Sequence, residues 1–507
     1  MEAPTSIEVS GLDEALASAA RHFSEYPAII TQQQCWTFSD IDALSRRLAA
    51  RLRNRGIRRG DRVALLSPNS AGFAIAYCAV IVSGATVLPL NFLYHEKEIA
   101  WMLKDAEACG LIFSPELHQK AFAAARLAGI RLVLELPEIR QRNSDPIPTP
   151  AGTRCEAHDI AAILYTSGTT GRPKGAMLTH RNLATNAWSV SRALRLQPGA
   201  DRILLVLPMF HAFAATAGML YSLLHGIAFI PLPRFDPVEV AEAIAAHRAT
   251  VFMGVPAMFA ALLRLSQRFT QAIRQLKFCI SGGAPLPAET LEQFEKRFGV
   301  LIYEGDGPTE CSPVTCVNPI GGRRKIGSVG RPVELVEMAI MDDRGCRLPP
   351  GAIGEICVRG PNVMKGYWKR PEATRAAFFG EWFRTGDIGR QDEDGYFYIM
   401  DRRKDMLIVN GMNVYPRMIE EVLHRHPDVA EAAIVGMQHA FHGEIPVAWI
   451  VPVPGRHPDA RNLRRYCAEH LGQHEIPRRF EFADRLPRTP TGKVDKGILR
   501  DQLKRAH

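Results

Sequence analysis

Residues Tyr165–Gly175 read Tyr-Thr-Ser-Gly-Thr-Thr-Gly-Arg-Pro-Lys-Gly and lie between an apolar strand candidate and a helical segment. The three glycines let backbone amides approach an anion, and the four hydroxyl groups add further hydrogen-bond donors. Lys174 supplies a positive charge at the end of the stretch. The stretch is not a Walker A loop, because GxxxxGK followed by Ser or Thr occurs nowhere in the chain. We therefore predict a phosphate-binding loop of another kind.

Short aliphatic and β-branched runs alternate with helical periods on both sides of this loop. Such alternation predicts an α/β fold class, with layered sheets in a large N-terminal domain. One helix is predicted around Ile41, Leu44, Leu48 and Leu52, with Ser39 and Asp42 as its capping box. The strand candidates are Val63–Leu66, Ala85–Leu90, Ala162–Tyr165, Ile203–Leu207, Thr250–Gly254 and Phe278–Ser281.

The pattern changes after about residue 321, where short strands are separated by turn signals such as Pro349-Pro350-Gly351 and Asp394-Gly395. This predicts a small β-rich, barrel-like subdomain over about 321–400. The charged run Asp401–Asp405 then precedes a final α+β stretch of about 100 residues. We expect two domains, 1–400 and 401–507, the second small and mobile.

The composition excludes several protein classes. The chain has 507 residues, of which 47% are hydrophobic and 23% charged, as in a soluble globular enzyme rather than a disordered chain. Its ten cysteines show no zinc-ligand spacing, which favours reduced thiols and a cytoplasmic protein. A net charge of +9 suits a polyanionic small molecule, and no basic run indicates nucleic acid.

Neither a signal peptide nor a membrane span is expected. The N-terminus lacks a basic segment followed by an apolar one. The uncharged stretches Ala64–His95 and Ile203–Pro233 are interrupted by helix breakers, so each predicts buried helix and strand segments. Peripheral membrane association and a homodimer are both compatible with the sequence.

The loop at Tyr165–Gly175 resembles the signature of the adenylate-forming superfamily, which contains acyl-CoA synthetases, adenylation domains and firefly-type luciferases. Further motifs follow in the order of that superfamily and cover the chain from about residue 25 to its end. They are closest in pattern to those of bacterial fatty acid:CoA ligases. These motifs are Pro208–His211, Ser281–Pro285, Gly307–Glu310, Trp382–Asp387, Asp401–Asp405 and Pro490–Lys493.

The resemblance implies an AMP-forming ligase that uses ATP, Mg²⁺ and CoA. Joining a carboxylate to the α-phosphate of ATP brings two anions together, so positioning and charge neutralisation must carry the catalysis. Glu310 and Thr166 would hold Mg²⁺, Asp387 would accept the ribose hydroxyls, and Arg402 would reach the ribose or a phosphate. The remaining nucleotide-binding residues implied by the resemblance are Ser167, Gly168, Thr169, Thr170, Gly171, Lys174, Gly282, Gly283, Ala284, Asp306, Gly307 and Thr309.

The resemblance also implies two half-reactions separated by rotation of the C-terminal domain. Lys493 would stabilise the charge that develops during adenylation, and Lys404 would be the hinge. After rotation, Gly411, Met412 and Asn413 would line the path of the CoA pantetheine arm. A lone lysine in a loop is otherwise a solvated charge.

One position departs from the pattern of the superfamily. An aromatic residue that stacks on adenine usually precedes Gly-x-Thr-Glu, but this chain has Asp306. Either other apolar contacts hold the adenine or the nucleotide affinity is weakened. Elsewhere, His439 and His442 are predicted to be surface loop histidines rather than metal ligands.

The acid substrate is inferred from the segment His211–Leu220, which contains no carboxylate that could pair with an amino-acid ammonium group. Its small apolar side chains suit either a hydrocarbon pocket or close helix packing. By resemblance, His211 would lie near the acyl carboxylate. We expect a medium- or long-chain fatty acid:CoA ligase. The alternatives are an aryl-acid:CoA ligase, a ligase that loads an acyl carrier protein, and a nucleotide- or acyl-binding regulatory protein.

Overall fold

A computed structural model of the chain describes residues 11–136, 155–166, 173–439, 441–488 and 494–505. Its strands are β1 (Pro27–Ile30), β2 (Cys35–Thr37), β3 (Arg62–Leu66), β4 (Thr86–Pro89), β5 (Ala108–Phe113), β6 (Leu132–Glu135), β7 (Ile160–Thr166), β8 (Lys174–Thr179), β9 (Arg202–Leu205), β10 (Ala228–Pro231), β11 (Val251–Gly254), β12 (Phe278–Ser281), β13 (Ile302–Asp306), β14 (Cys316–Val317), β15 (Arg331–Pro332), β16 (Glu337–Met341), β17 (Ile353–Arg359), β18 (Gly366–Tyr367), β19 (Phe378–Phe379), β20 (Trp382–Gln391), β21 (Phe397–Arg402), β22 (Leu407–Val409), β23 (Met412–Val414), β24 (Val429–His439), β25 (Gly443–Pro452) and β26 (Arg479–Phe482).

The α-helices are α1 (Leu12–His22), α2 (Phe38–Asn54), α3 (Ala71–Val82), α4 (Glu96–Asp105), α5 (His118–Ala128), α6 (His180–Leu194), α7 (Tyr221–His225), α8 (Pro237–His247), α9 (Pro256–Leu262), α10 (Thr270–Ile273), α11 (Ala288–Phe298), α12 (Pro371–Ala376), α13 (Pro416–His424), α14 (Ala460–His470) and α15 (Lys496–Arg505). A π-helix, Phe213–Leu220, runs directly into α7. Short 3₁₀ helices occur at Pro115–Leu117, Gln267–Phe269 and Thr309–Cys311.

Two large sheets form the first part of the molecule. One has the strand order β18-β8-β7-β4-β3-β5-β6, and the other has the order β15-β14-β13-β12-β11-β9-β10-β1-β2. Within the second, β1, β10, β9, β11, β12 and β13 are parallel. This layered arrangement confirms the predicted α/β class, and all six strand candidates correspond to strands.

Helix α3 explains one of the long uncharged stretches. Nearly all of its side chains are buried in a core that also contains Leu65 of β3 and Leu205 of β9, one residue from each large sheet. A helix with apolar contacts on every side needs no polar face. Among the described residues, no helix is both long enough and apolar enough to cross a lipid bilayer.

The predicted capping box of helix α2 is wrong by two residues. Thr37, not Ser39, is the N-cap: its hydroxyl accepts a hydrogen bond from the Asp40 amide, and the Asp40 carboxylate accepts one from the Thr37 amide. Phe38 becomes the first helical residue and is buried. The Thr-x-x-Asp spacing satisfies the same rule as Ser-x-x-Asp, so the sequence pattern alone does not distinguish the two starts.

Two smaller sheets follow. Strands β16, β17, β20 and β19 form an antiparallel sheet to which β21 is added alongside β20, in the region predicted to be β-rich. Strands β23, β22, β25 and β24, with β26 beside β25, form the last sheet. Helices α13 and α14 cover one face of this last sheet, and α15 packs in a separate apolar cluster with β24 and β25.

Candidate active site

The predicted phosphate loop is anchored by the antiparallel strands β7 and β8. Thr166, at the end of β7, is paired in register with Lys174, at the start of β8. The two ends of the loop are therefore held side by side by the sheet. Between them, Ser167, Gly168, Thr169, Thr170 and Gly171 lie outside the described residues.

Glu310 lies at the mouth of this loop. It is buried in the short 3₁₀ helix that follows β13, and its Oε1 accepts hydrogen bonds from the Thr166 hydroxyl at 3.2 Å and from the Tyr367 hydroxyl at 2.8 Å. The ammonium group of Lys174 lies 5.3 Å from the centroid of the Tyr367 ring. Burial, together with the Glu310 carboxylate, raises the pKa of Tyr367, so its hydroxyl remains a neutral donor. Sequence reasoning identified three of these four residues and missed Tyr367.

Asp387 and Arg402 face each other across strands β20 and β21. The Arg402 Nε lies 2.6 Å from Asp387 Oδ1, and Asp387 is almost completely buried. Asp387 raises the pKa of Arg402 most, and the carboxylates of Asp306 and Glu310 add to that effect. Arg402 therefore pairs with Asp387 and lies in the field of the Asp306 and Glu310 carboxylates.

Gly282 is buried in close packing directly after strand β12. A Cβ atom at Gly282 would lie 3.1 Å from Cε1 of Phe213 and 3.3 Å from the Gly305 carbonyl oxygen. Gly283 has a φ of +76°, in the region that favours glycine, and Ala284 follows it. This turn lies at the carboxyl end of parallel strands, where ligands bind in open α/β sheets.

The end of β13 is equally constrained. A Cβ atom at Gly307 would lie 1.6 Å from the Pro313 carbonyl oxygen, so no side chain fits there. The backbone carbonyl of the preceding residue, Asp306, accepts hydrogen bonds from the Thr315 amide at 3.0 Å and from the Thr315 hydroxyl at 2.9 Å. Thr309 begins the short helix that carries Glu310.

Glu304 is a buried carboxyl group that sequence reasoning missed. Its Oε1 accepts a hydrogen bond from the Leu286 amide at 3.2 Å, just after the Gly282–Ala284 turn. Burial raises the pKa of Glu304 from 4.5 to about 7, and Arg417 partly opposes this shift. A single glutamate in a strand gives no sequence signal, because its burial depends on a loop from another part of the chain.

His211 lies just before the π-helix and is half-buried. Its Nδ1 accepts a hydrogen bond from the Phe213 amide at 3.4 Å. The small residues that follow are buried, and a Cβ atom at Gly218 would lie 2.5 Å from a methyl group of Leu205. Close packing therefore explains the glycine of this segment, whereas Phe213 contacts the Gly282 turn.

The predicted hinge, Lys404, is an exposed residue between two anchored neighbours. Arg403 donates from its amide to the Gly386 carbonyl at 2.8 Å and from its guanidinium to Glu355 at 2.9 Å. On the other side, Asp405 forms an ion pair with Arg500 of α15. Arg403 is thus attached to strands β17 and β20, whereas Asp405 is attached to helix α15, which packs on the last sheet.

Gly411, Met412 and Asn413 are exposed at the turn between β22 and β23. Lys493 lies outside the described residues. Three residues later, Lys496 begins α15 and forms an ion pair with Glu420 of α13 at 2.8 Å. The helix that follows Lys493 is thereby fixed to the last sheet.

Two family models match the chain. The model of the AMP-binding enzyme matches residues 16–368, and the model of the AMP-binding enzyme C-terminal domain matches residues 418–493. Together they include every predicted site residue except Asp387, Arg402, Lys404 and the three residues of the turn at Gly411.

Curated relatives are similar over almost the whole chain. A long-chain-fatty-acid–CoA ligase of Bacillus subtilis (strain 168) is 34% identical, covering 98% of this chain and 95% of the relative. A feruloyl-CoA synthase of an Amycolatopsis species is 38% identical, covering 92% of this chain and 93% of the relative.

Solved structures agree with the fold. ATP-bound MatB from Rhodopseudomonas palustris has a TM-score of 0.89 at 34% identity and covers 97% of this chain and 99% of that chain. The o-succinylbenzoate–CoA synthetase MenE from Bacillus subtilis, in complex with ATP and a magnesium ion, has a TM-score of 0.85 at 31% identity, covering 98% of this chain and 99% of that chain. With the fold, the ordered motifs and both family models in agreement, the chain belongs to the AMP-binding enzyme family and so to the adenylate-forming superfamily.

Proposed function

We propose that this chain activates a medium- or long-chain fatty acid as acyl-AMP and transfers the acyl group to CoA. In the first step the carboxylate attacks the α-phosphate of ATP and pyrophosphate leaves. In the second step the CoA thiol attacks the acyl carbonyl and AMP leaves, while the thiol proton is released. As a member of its family the chain is an AMP-forming acid–thiol ligase, and its substrates are a carboxylic acid, ATP and CoA.

The cluster around Glu310 carries this proposal. Two hydroxyl groups and a lysine converge with a buried carboxylate at the mouth of a glycine-rich loop, and this arrangement suits a metal-bound polyphosphate. Carboxylate and hydroxyl oxygens are hard ligands that fit Mg²⁺, so Glu310 and Thr166 would hold the ion. Bound there, Mg²⁺ would neutralise phosphate charge. Lys174 and the loop residues would bind the β- and γ-phosphates.

The nucleoside would bind along the ends of β12 and β13. We assign the adenine to the backbone of Gly282, Gly283 and Ala284, with Gly307 at the end of the next strand. We assign the ribose hydroxyls to Asp387, with Arg402 beside them, and the α-phosphate to Thr309.

Asp306 has a charged neighbour in Arg402. This neighbour favours a negative charge at a position where the superfamily usually has an aromatic ring. If adenine is held by that backbone alone, replacing Asp306 by Tyr should tighten ATP binding by about 1 kcal/mol, the scale of an aromatic contact.

We further propose that residues 1–400 and 401–507 are separate domains that rotate about Lys404. The anchored neighbours Arg403 and Asp405 support this, because they confine the change of backbone angles to a single exposed residue. Lys493 would stabilise the adenylation transition state in one orientation. In the other, Gly411, Met412 and Asn413 would leave the solvent and line the pantetheine path.

The fatty-acid assignment rests on the uncharged segment that follows His211 and on the long coverage of the Bacillus relative. An aryl acid is the second candidate. It is favoured by the 38% identity to a feruloyl-CoA synthase and by the Phe213 ring, which lies against the Gly282 turn where a planar substrate could stack.

A competition experiment separates these candidates. The purified chain would receive ATP, Mg²⁺, CoA and an equimolar mixture of fatty acids of graded length with ferulic, benzoic and anthranilic acids. Mass spectrometry of the thioesters should show medium- or long-chain acyl-CoA. Predominantly aryl thioesters would select the second candidate, and absence of both pyrophosphate and thioester would refute the function. Glu310→Gln provides the control, since it should abolish both products with every acid.

A further inference from the structure

The turn at Gly411 has a fixed shape. Strands β22 and β23 are joined by Asn410 and Gly411, whose φ angles are 51° and 77°. A two-residue hairpin turn with both φ angles positive strongly prefers Asn-Gly, so the local sequence determines this geometry. The turn is exposed and projects from the last sheet.

A neighbouring hairpin holds this turn from the side. The Asn410 amide donates to the His442 carbonyl at 2.9 Å, and the His442 Nδ1 lies 2.7 Å from Asn410 Oδ1. On the opposite edge of the ring, the guanidinium of Arg478 lies 2.8 Å from His442 Nε2. His442 therefore bridges Arg478, which precedes β26, and the tip of the β22–β23 hairpin.

The partners of His442 define its protonation state. A guanidinium can only donate, so His442 Nε2 must accept from Arg478. The proton of the neutral ring is then on Nδ1, where it can donate to the amide oxygen of Asn410. A second proton on Nε2 would place an N–H against the guanidinium and remove the acceptor. The bridge thus exists only while the ring is neutral.

We propose that His442 is a positioning residue that holds the Asn410–Gly411 turn for thioester formation, and that its protonation breaks the link to Arg478 and so loosens the turn. The inference rests on the proposed function, because only that function assigns the turn to the pantetheine path. His442 does not touch the reacting atoms. It acts through Asn410, by fixing the hairpin tip that the domain rotation would deliver to the site.

The groups around His442 also favour its neutral form. Arg478 faces it from the segment before β26, and His439 faces it from β24 with ring centroids 4.7 Å apart. Loss of hydration, together with these two groups, keeps the pKa of His442 below its usual value. Glu444, on β25 two residues after His442, accepts a hydrogen bond from the Ile408 amide at 3.0 Å. The neutral bridge is accordingly the state expected at neutral pH.

The test supplies acyl-AMP and CoA to the full chain and follows thioester formation from about pH 8 down to about pH 5, the interval in which histidines titrate. His442→Ala should slow this step about 2- to 10-fold at high pH, the effect of losing one net hydrogen bond. His442→Asn keeps a donor toward Asn410 and should restore much of the rate. Dividing the wild-type rate by the His442→Asn rate cancels the ionisation of CoA, and this ratio should fall toward acid only because of His442.

Two further variants sharpen the result. Arg478→Met removes the donor whose bond to His442 Nε2 protonation would break, so the ratio measured in this background should lose its acid limb. His457→Ala changes an exposed histidine of the same region and should leave the rates unchanged. Adenylation, measured by exchange of pyrophosphate into ATP, should be the same in all these variants, which also shows that they are folded.

The outcomes distinguish a failure of the proposed function from a failure of the inference about His442. If the wild type forms no thioester from acyl-AMP and CoA, the proposed function fails. If it does so and His442→Ala has the same rate and the same pH profile, the inference about His442 is wrong. Equal losses in both half-reactions would likewise overturn it, because the turn would then not be specific to the second step.

Discussion

Replacing Glu304 by Gln should remove a proton that the folded protein binds and the unfolded chain does not. The carboxyl group is buried beside the Gly282–Ala284 turn, and its pKa rises from 4.5 to about 7 on folding. Between pH 4.5 and about pH 7 the folded protein therefore keeps this proton, whereas the unfolded chain has lost it. Glutamine cannot ionise, so the variant has no such difference.

The size of the effect follows from the two pKa values. One pKa unit corresponds to about 1.4 kcal/mol, so the displacement from 4.5 to about 7 corresponds to about 3 kcal/mol. Because the pKa is raised on folding, the stabilising contribution is complete below the ordinary pKa and is lost as pH rises through about 7. Wild-type stability should fall relative to Glu304→Gln over that interval.

Proton release on unfolding directly measures the difference in bound protons between the folded and unfolded states. The measurement requires no two-state transition. Both proteins would be unfolded in urea in weakly buffered solution near pH 6, and the released protons would be titrated. The wild type should release about one proton more than Glu304→Gln, as linkage requires. Glu292→Gln, a change at an exposed position of α11, should match the wild type. Equal proton release from wild type and Glu304→Gln across the interval would refute a buried, protonated Glu304.

Tyr367→Phe removes one of the two hydroxyl donors to Glu310 and should reduce the adenylation rate about 2- to 10-fold, measured by pyrophosphate exchange; an unchanged rate would exclude Tyr367 from the cluster. Lys493→Ala should slow acyl-AMP formation by about 10²- to 10³-fold yet leave thioester formation from supplied acyl-AMP near normal, and equal losses in both steps would contradict domain alternation. Gly307→Ala places a Cβ atom against the Pro313 carbonyl and should lower the melting temperature in calorimetry by more than Gly351→Ala, where nothing lies within 4 Å and only the positive φ is strained.

Short sequence patterns were sufficient to predict many of the strands. Strand candidates such as Phe278–Ser281 matched because a short apolar run between turn signals is read within a few residues. The prediction of the α2 capping box was wrong because it relied on an equally short pattern. Two overlapping Ser/Thr-x-x-Asp patterns are locally equivalent, and only the burial of Phe38 by the rest of the molecule selects Thr37.

The site residues that belong to recognisable motifs could be predicted from the sequence. Those that depend on contacts between distant parts of the chain could not. Thr166, Lys174 and Glu310 belong to motifs, and the structure brings them together. Tyr367 reaches Glu310 because β18 pairs with β8, a contact between segments nearly 200 residues apart. Glu304 has its unusual pKa because the surrounding core excludes water from it, although the hydrogen bond from the Leu286 amide partly opposes the shift. Neither fact is encoded in a short stretch of sequence.

The contact between Asp387 and Arg402 has a consequence for the end of the catalytic cycle. With the guanidinium 2.6 Å away, the buried carboxylate is compensated by a group of the protein itself. On the proposed ribose assignment, a departing AMP exchanges its contact for one the protein supplies itself, so no bare buried charge is exposed. On this assignment Arg402 would compete with every adenine nucleotide for Asp387 Oδ1, which would weaken product inhibition by AMP.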